Sequence, residues 1–260
     1  MHNLSDISRV VLYSAGVISL IFTFVYSSIY GTWLLLITSY VWGRFVGLIG
    51  NQIAQHRYFT HKSFETSYFG HKILLWFSIL GGESSPIVWA IHHRHHHRYS
   101  DTELDVHSPH DSISLCVYKW QIKPTSWYLI EKKVRTMPRD LMRHTDVKFV
   151  DKHFYKIWIL LVGISLAISW KFCIFFILAP VGYSMVNGSI GNFFGHWKIP
   201  GSYRNFDTGD KSYNNKWIMI YLGGEGLHNN HHHNMNNYNQ KIKPDEIDIA
   251  AWIIKKFLIK

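Results

Sequence analysis

The chain has 260 residues, of which 47% are hydrophobic and 17% charged. This composition is too apolar for an ordinary soluble domain and too polar for a chain lying wholly in a membrane. It predicts a few spans that carry a large polar part. The net charge of +10 favours an anionic membrane surface or an acidic partner, and the dominance of apolar segments argues against nucleic acid. The two cysteines, Cys116 and Cys173, are far apart and indicate neither a disulfide framework nor an iron–sulfur site.

Two apolar stretches near the N-terminus predict a first pair of membrane-spanning helices. Residues 10–30 carry no charge and, at ~1.5 Å per residue, can cross a bilayer core of ~30 Å. We interpret them as a retained span, because Arg9 precedes them and no small-residue cleavage site follows. Residues 33–53 form the second predicted span. It is interrupted by Arg44, which we expect to snorkel or to face the protein interior.

A third apolar stretch, residues 70–91, is predicted not to cross the membrane. Gly81, Gly82 and Pro86 break it, and irregular backbone at membrane depth must be buried in protein. A re-entrant or interfacial segment therefore fits better than a straight span. The block that follows, up to residue 156, is polar and rich in lysine and arginine.

Residues 154–169 and 172–190 predict a second hairpin of spans, with Pro180 kinking its second arm. The chain then becomes polar again. Its last stretch, residues 245–260, has apolar side chains at helical spacing and predicts a surface helix.

These elements predict an all-α integral membrane protein. Four transmembrane helices form two hairpins, joined by a re-entrant or interfacial segment and capped by a helical domain. The whole chain, 1–260, is one domain, and its cap comprises residues 54–153 and 191–260. Counting the spans places the polar blocks and both termini on one face, and the Lys/Arg-rich loop predicts that this face is cytoplasmic.

Histidine is unusually frequent, with 18 residues, and four groups fall on the predicted cytoplasmic face. They lie in the segments His56–His61, His92–His97, Asn192–His196 and His228–His233. In the pattern H-x-x-H-H the positions i, i+3 and i+4 share one helical face. The i, i+5 pair of the first group instead diverges by ~140° on an ideal α-helix. That pair can converge only if the helix ends or two metals lie between its members.

Nine well-spaced histidines exceed the four ligands of a tetrahedral zinc site, whereas two metal ions with four or five nitrogens each would use them. Imidazole suits iron, copper, zinc and nickel, so ligand type leaves the metal open. A single histidine run can bind metal adventitiously. Four spaced groups at membrane exits on one face favour a built centre.

At these positions the chain resembles the membrane-bound acyl-CoA desaturases, the family of the stearoyl-CoA desaturases. The family pattern is HxxxxH, HxxHH, NxxxH and HxxHH, and each box is present in this order. The resemblance runs from about residue 50 to residue 237. It includes the segments Ser100–Pro109, Tyr203–Asp210 and Gly224–His232.

The resemblance implies two ferrous ions and no catalytic residue beyond their ligands, with Asn192 reaching one ion through a water. The implied ligands are His56, His61, His93, His96, His97, Asn192, His196, His228, His231 and His232. The spacing of the second box also allows a register of His92, His95 and His96. Arg94, directly after His93, matches the family and favours the first register, so His92, His95 and His233 are extra.

The implied reaction is the O₂-dependent introduction of a cis double bond into a saturated fatty acyl chain, with acyl-CoA as the expected substrate. We expect electrons from a separate donor of the ferredoxin, rubredoxin or cytochrome b5 type. One departure concerns the segment Ser112–Trp120, which lacks the S-H-x-G-W ending of similar enzymes. That departure affects the expected recognition of the acyl donor and leaves the ligand set unchanged.

Four carboxylates near the boxes are candidates to hold imidazole tautomers, and each could equally be an ordinary solvated charge: Glu83, Asp101, Asp105 and Glu225. Two other functions stay open. A histidine-rich membrane hydroxylase acting on a lipid, alkane or carotenoid would use the same ions. A non-catalytic membrane metal-binding protein would instead be expected to place ligands inside its spans.

Overall fold

Helices form nearly all the regular structure of residues 4–259, the part of the chain that the computed structural model describes. His2 lies outside this described part of the chain, as does Lys260 at the end of the predicted C-terminal helix. The main helices are α1 (Leu4–Tyr30), α2 (Trp33–Thr60), α3 (Tyr68–Leu80), α4 (Pro86–Tyr99), α5 (Thr145–Ile168), α6 (Trp170–His196), α7 (Lys216–Leu222), α8 (His228–His233) and α9 (Ile249–Ile253). Short helical turns cover Leu115–Lys119, Trp120–Ile122, Thr125–Ile130, Leu141–Arg143 and Gly223–Gly226. The strands β1 (Ser202–Tyr203) and β2 (Asn214–Asn215) pair antiparallel.

Three helices of the described chain are long and apolar enough to cross a membrane, namely Asp6–Tyr30, Trp33–Thr60 and Trp170–His196. They contain three of the four predicted spans. The fourth prediction, 154–169, falls in α5, which is not among those three helices. Charged residues run through α5 as far as Lys156, and the uncharged remainder is shorter than a bilayer core. The four-span arrangement and the cytoplasmic cap therefore stay predictions.

Small residues let the apolar helices pack closely. A Cβ on Gly16 of α1 would lie 2.9 Å from the backbone nitrogen of Gly182 in α6, so only glycine permits this crossing. The hydroxyl of Ser39 in α2 donates to the carbonyl of Phe175 in α6 at 2.5 Å. These contacts hold α1, α2 and α6 side by side and fix where the histidine-bearing ends of α2 and α6 lie.

The predicted break in the third apolar stretch is confirmed. Helix α3 ends at Leu80 and α4 begins at Pro86, with Gly82 at φ +74° between them. The hydroxyl of Ser85 accepts a hydrogen bond from Val88 N at 3.3 Å, which caps α4, and Pro86 takes the first helical position.

The predicted C-terminal helix begins at Ile249 rather than at residue 245, because Asp248 caps it by accepting from Ala251 N at 2.9 Å. The helical path continues through Ile254–Leu258. Arg57 Nη1 donates to both carboxylate oxygens of Asp248 at 2.9 and 3.0 Å. Since Arg57 is next to His56, this buried pair ties the C-terminal helix to the first histidine box.

Candidate metal centre

The structure gathers the nine predicted histidines into two groups that could each hold a metal ion. Within each group, the potential ligand atoms all lie within 4.8 Å of one another. The first group contains His56, His61, His93, His97 and His231, and the second contains His96, His196, His228 and His232. All nine belong to the predicted ligand set.

An unusual helical winding brings the first box together. From Gly47 to Thr60 the helix α2 is wound with i→i+5 hydrogen bonds, and His61 N donates to His56 O at 3.1 Å. This winding brings residue i+5 nearer to residue i than an α-helix does, and the two imidazole centroids are 5.0 Å apart. The helix also ends at Thr60, directly before His61, which is one of the two conditions that we predicted for convergence of this pair.

Each of two short segments supplies ligand candidates to both groups. Helix α4 gives its i, i+4 pair, His93 and His97, to the first group and His96 to the second. Helix α8 does the reverse, with His228 and His232 in the second group and His231 in the first. The H-x-x-H-H pattern thus lets a single helical face serve two neighbouring centres.

The histidines classed as extra make other contacts. His92 stacks on Tyr128, with centroids 4.2 Å apart and planes at 17°. His95 Nε2 lies 3.0 Å from the carbonyl oxygen of Leu104, and His233 stacks on Phe206. None of the three belongs to either group, so the geometry supports the register that begins at His93.

Four of the candidate ligands have carboxylates at Nδ1. The pairs are His56–Glu225 at 2.9 Å, His96–Asp105 at 2.9 Å, His196–Asp101 at 2.9 Å and His232–Asp210 at 2.6 Å. Sequence reasoning named Glu225, Asp105 and Asp101 but missed Asp210, although Asp210 ends one of the shared segments. Glu83 is not in this role, since it accepts hydrogen bonds from Asn51 and Trp89.

Two of these carboxylates, Asp101 and Asp105, are held ionised. Burial acts to raise the pKa of Asp101, but the hydrogen bond and charge of His196 outweigh it and lower that pKa to about 2. Burial likewise opposes the lowered pKa of Asp105, which the charge of His96 and a hydrogen bond from it produce. An ionised carboxylate only accepts hydrogen bonds, so His196 and His96 donate to Asp101 and Asp105 through Nδ1–H. The Nε2 lone pair of each imidazole then points away from its carboxylate.

The Nε2 atoms fit a metal ion because they lack other partners. His56 Nε2 faces His231 Nε2 at 2.9 Å, and His196 Nε2 faces His228 Nε2 at 2.9 Å. The Nε2 atoms of His96 and His232 are buried with no hydrogen-bond partner. Imidazole nitrogens at this distance are joined either by an N–H···N hydrogen bond or by a cation between them, and a donor set of this kind suits an imidazole-binding metal in each group.

Burial favours the neutral imidazoles that such an ion requires. It lowers the pKa of His61, His93 and His97 well below the ordinary value, and neighbouring charged groups add to the effect. The same causes lower the pKa of His228, His231 and His232. Neutral imidazole is the form that binds metals.

A further buried histidine, His107, was not singled out by the sequence. Its ring lies 4.2 Å from that of His96, and its backbone nitrogen donates to Asp105 at 3.0 Å. The motif Ser100–Pro109 contains it and could have pointed to it.

Asn192 lies one turn before His196 in α6, and its predicted contact through a water stays a prediction.

A third cluster, His71, His144 and Asp146, lies outside these groups. His71 Nε2 pairs with Asp146 at 2.9 Å, and its Nδ1 lies 3.0 Å from the hydroxyl of Tyr58. The ammonium of Lys72 is 2.5 Å from the same carboxylate. The negative charge of Asp146 is therefore balanced by protein groups within this cluster. The two histidine groups differ, because their imidazole nitrogens face one another.

One cavity reaches both histidine groups. Its volume is about 1190 Å³, open mouth included, and His56, His93 and His228 line it together with Asn192. Apolar parts of its wall come from Tyr13, Val88, Trp89, Trp120, Met185 and Leu222. A ligand in this cavity would lie beside both groups.

The chain matches the family model described as fatty acid desaturase over residues 27–242. It is 30% identical over 216 residues to an acyl-CoA C20 Delta5-desaturase of Anemone leveillei, covering 80% of this chain and 66% of that protein. It is 29% identical to Delta-9 acyl-lipid desaturase 1 of Arabidopsis thaliana, covering 82% and 68%. It is 30% identical to the sn-1 stearoyl-lipid 9-desaturase of Anabaena variabilis, covering 72% and 66%. The chain thus spans about two thirds of the length of these curated relatives.

Proposed function

Since the chain belongs to the fatty acid desaturase family, we propose that it is a di-iron, O₂-dependent enzyme that introduces a cis double bond into a saturated fatty acyl chain. The observation that carries this proposal is the pair of histidine groups facing one cavity. Five and four imidazole nitrogens suit two separate ions, and a site built for a single zinc ion would need no more than four ligands.

The proposed ligand set is the nine grouped histidines, with Asn192 contributing through a water. Bound ferrous ions would supply the reduction of O₂ and the removal of hydrogen from unactivated C–H bonds. Overall, one O₂, two electrons and two protons combine with two substrate hydrogens to give an alkene and two waters. The protein's own part is to hold the imidazoles, and the four Nδ1-bound carboxylates fix their orientation and tautomer.

The cavity wall beside the first group supports a role in holding the acyl chain. Trp89 stacks on His93, with centroids 4.4 Å apart and planes at 28°, and its indole N–H donates to Glu83 at 2.8 Å. The indole is therefore fixed from two sides. Removal of hydrogens from neighbouring carbons requires a chain that is held still, and positioning of this kind can decide between desaturation and hydroxylation.

We also propose four spans, with the histidine groups and both termini on the cytoplasmic side, and acyl-CoA as the acyl donor. A separate ferredoxin, rubredoxin or cytochrome b5 type protein would supply the electrons. The net charge of +10 supports binding of an acidic redox partner and of an anionic acyl carrier. The named relatives include both acyl-CoA and acyl-lipid desaturases, so the carrier is best settled by direct comparison.

The test is to incubate purified, iron-loaded protein with a deuterated saturated acyl chain, O₂ and a reductase system. The acyl chain is supplied in parallel as CoA thioester and as phospholipid, and the products are analysed by mass spectrometry. The expected product is an alkene with two hydrogen (deuterium) atoms fewer than the acyl substrate. His232→Ala should abolish its formation. His233→Ala is the matched control, because His233 is exposed and outside both groups.

Two results would overturn the proposal. An alcohol carrying an atom from ¹⁸O₂, without alkene, would make the protein a hydroxylase. Bound iron with no O₂-dependent product from either acyl donor would favour a non-catalytic metal-binding protein.

A further inference from the structure

The C-terminal helical segment, α9 with its continuation to Leu258, has one buried and one exposed apolar face. Ala250, Ala251 and Ile254 are buried on the inner side. On the outer side Trp252 is 57% exposed and Phe257 is 65% exposed. A helix that only covered a soluble core would be expected to carry polar residues at these outer positions.

Helix α7 extends this apolar surface. Trp217 and Ile220 are each more than half exposed. The two helices meet at Gly223, directly after α7, because a Cβ there would lie 3.8 Å from the Cβ of Ile249 at the start of α9. We call the exposed side chains of both helices the outer face: Trp217, Ile220, Ile249, Trp252 and Phe257.

The outer face is joined to a helix that is able to span a membrane. Arg44 of α2 donates to the carbonyl of Tyr221 in α7, and its guanidinium lies 4.9 Å from the centre of the Tyr221 ring. Ala250 and Ile254 belong to the same buried cluster as Ile53 of α2. Both helices therefore rest on the part of α2 that runs from Arg44 towards the first histidine box.

The charges beside the outer face match a lipid boundary. Lys255 and Lys256 are exposed, and the ammonium of Lys256 lies 5.4 Å from the ring centre of Trp252 and 5.8 Å from that of Phe257. Exposed lysines beside the aromatic side chains of an apolar helix face are typical of helices lying in the membrane interface. Tryptophan is enriched at the same depth.

From these observations we propose that the outer face lies in the boundary between lipid head groups and acyl chains, as an in-plane anchor separate from the spanning helices. The occupant is the bilayer that surrounds α2, because the face is continuous with that helix. The anchor is coupled to the first histidine group, since Asp248 caps α9 and also pairs with Arg57 beside His56. This inference does not depend on which reaction the protein catalyses.

The experiment uses the full chain in phosphatidylcholine nanodiscs. Trp252→Cys and Phe257→Cys are each labelled with an environment-sensitive fluorophore, and a lipid carrying a spin label near its head group is the quencher. Asp207→Cys is the control, because the side chain of Asp207 is 99% exposed in a polar loop. The unsubstituted chain measures background labelling of Cys116 and Cys173, which are both buried.

We expect blue-shifted emission and at least threefold stronger quenching at residues 252 and 257 than at residue 207. Emission typical of water at either position, with quenching no stronger than the control, would overturn the proposal and indicate a surface that meets solvent or another protein. The lipid quencher reads depth directly, so failure here is distinct from failure of the desaturase assay.

Discussion

The two histidine groups differ in how the protein supports them. One of the five histidines in the first group hydrogen-bonds a carboxylate, whereas three of the four in the second group do so. Hydrogen bonding of Nδ1–H to a carboxylate orients a ligating imidazole and raises its basicity. We therefore expect the second group to depend on its carboxylates and the first on the number and burial of its imidazoles.

The largest expected effect comes from removing a ligand candidate from either group. His231→Ala in the first group and His196→Ala in the second should each abolish turnover, because the proposed reaction uses both ions. Bound iron should fall towards one ion per chain, as measured by metal analysis after gel filtration. His233→Ala should retain both iron and activity. Full activity in either ligand variant would remove that residue from the assignment.

Removing a carboxylate tests the difference between the groups. Asp210→Asn replaces the carboxylate that pairs with His232 by a neutral amide and should weaken metal binding by about 10- to 100-fold. Glu225→Gln should have a smaller effect, since four other histidines hold the first group without a carboxylate of this kind. Iron retained during titration with a chelator is the measurement. Equal losses in the two variants would show that the groups are supported alike.

The pH dependence of the stability of the metal-free protein should come more from the first group than from the second. His61, His93, His97 and His231 have lowered folded-state pKa values, so the unfolded chain binds more protons below about pH 6.5. Stability should then fall as pH drops through 6.5, by about 1.4 kcal/mol per pH unit for each histidine that stays neutral in the fold. In the second group His228 and His232 act in the same sense, because their pKa values are also lowered, whereas His96 acts in the opposite sense. Burial opposes its raised pKa, and Asp105 outweighs burial.

Thermal unfolding of chelator-treated protein between pH 7.5 and 5.5 measures this slope. His97→Asn, which removes one buried imidazole of the first group, should flatten it, whereas His233→Ala should not. An unchanged slope in His97→Asn would contradict the role of first-group burial.

The sequence predicted the nine clustered histidines because their spacing and order are specific. It could not divide them between two groups, since H-x-x-H-H places three imidazoles on one helical face. The division depends on how α4 and α8 face each other across the site. The i→i+5 winding around His56 was not predicted from the sequence, and it lies where α3 and α4 pack against α2. Asp210 was missed because it lies between two histidine boxes, farther along the chain from either than the carboxylates that were named.

The fold was predictable where apolar length decides it and less so where charge interrupts a helix. The segments 10–30, 33–53 and 172–190 lie in helices that can span a membrane. The predicted span 154–169 falls in a helix that begins earlier, because its charged first half precedes the apolar stretch. Apolar stretches alone do not show where such a helix begins.

The smallest expected effect concerns the register of the second box, where His92 and His93 are neighbours with different surroundings. His93 faces the first group, whereas His92 packs flat against Tyr128 on the cavity wall. His92→Ala should keep both iron ions and turnover and lower stability by about 0.5–1.5 kcal/mol, the worth of one aromatic contact. His93→Ala, its matched partner, should lose iron. Metal analysis and thermal unfolding of the two variants side by side provide the measurement. Iron loss in His92→Ala with retention in His93→Ala would reverse the register and reassign the α4 ligands of the first group.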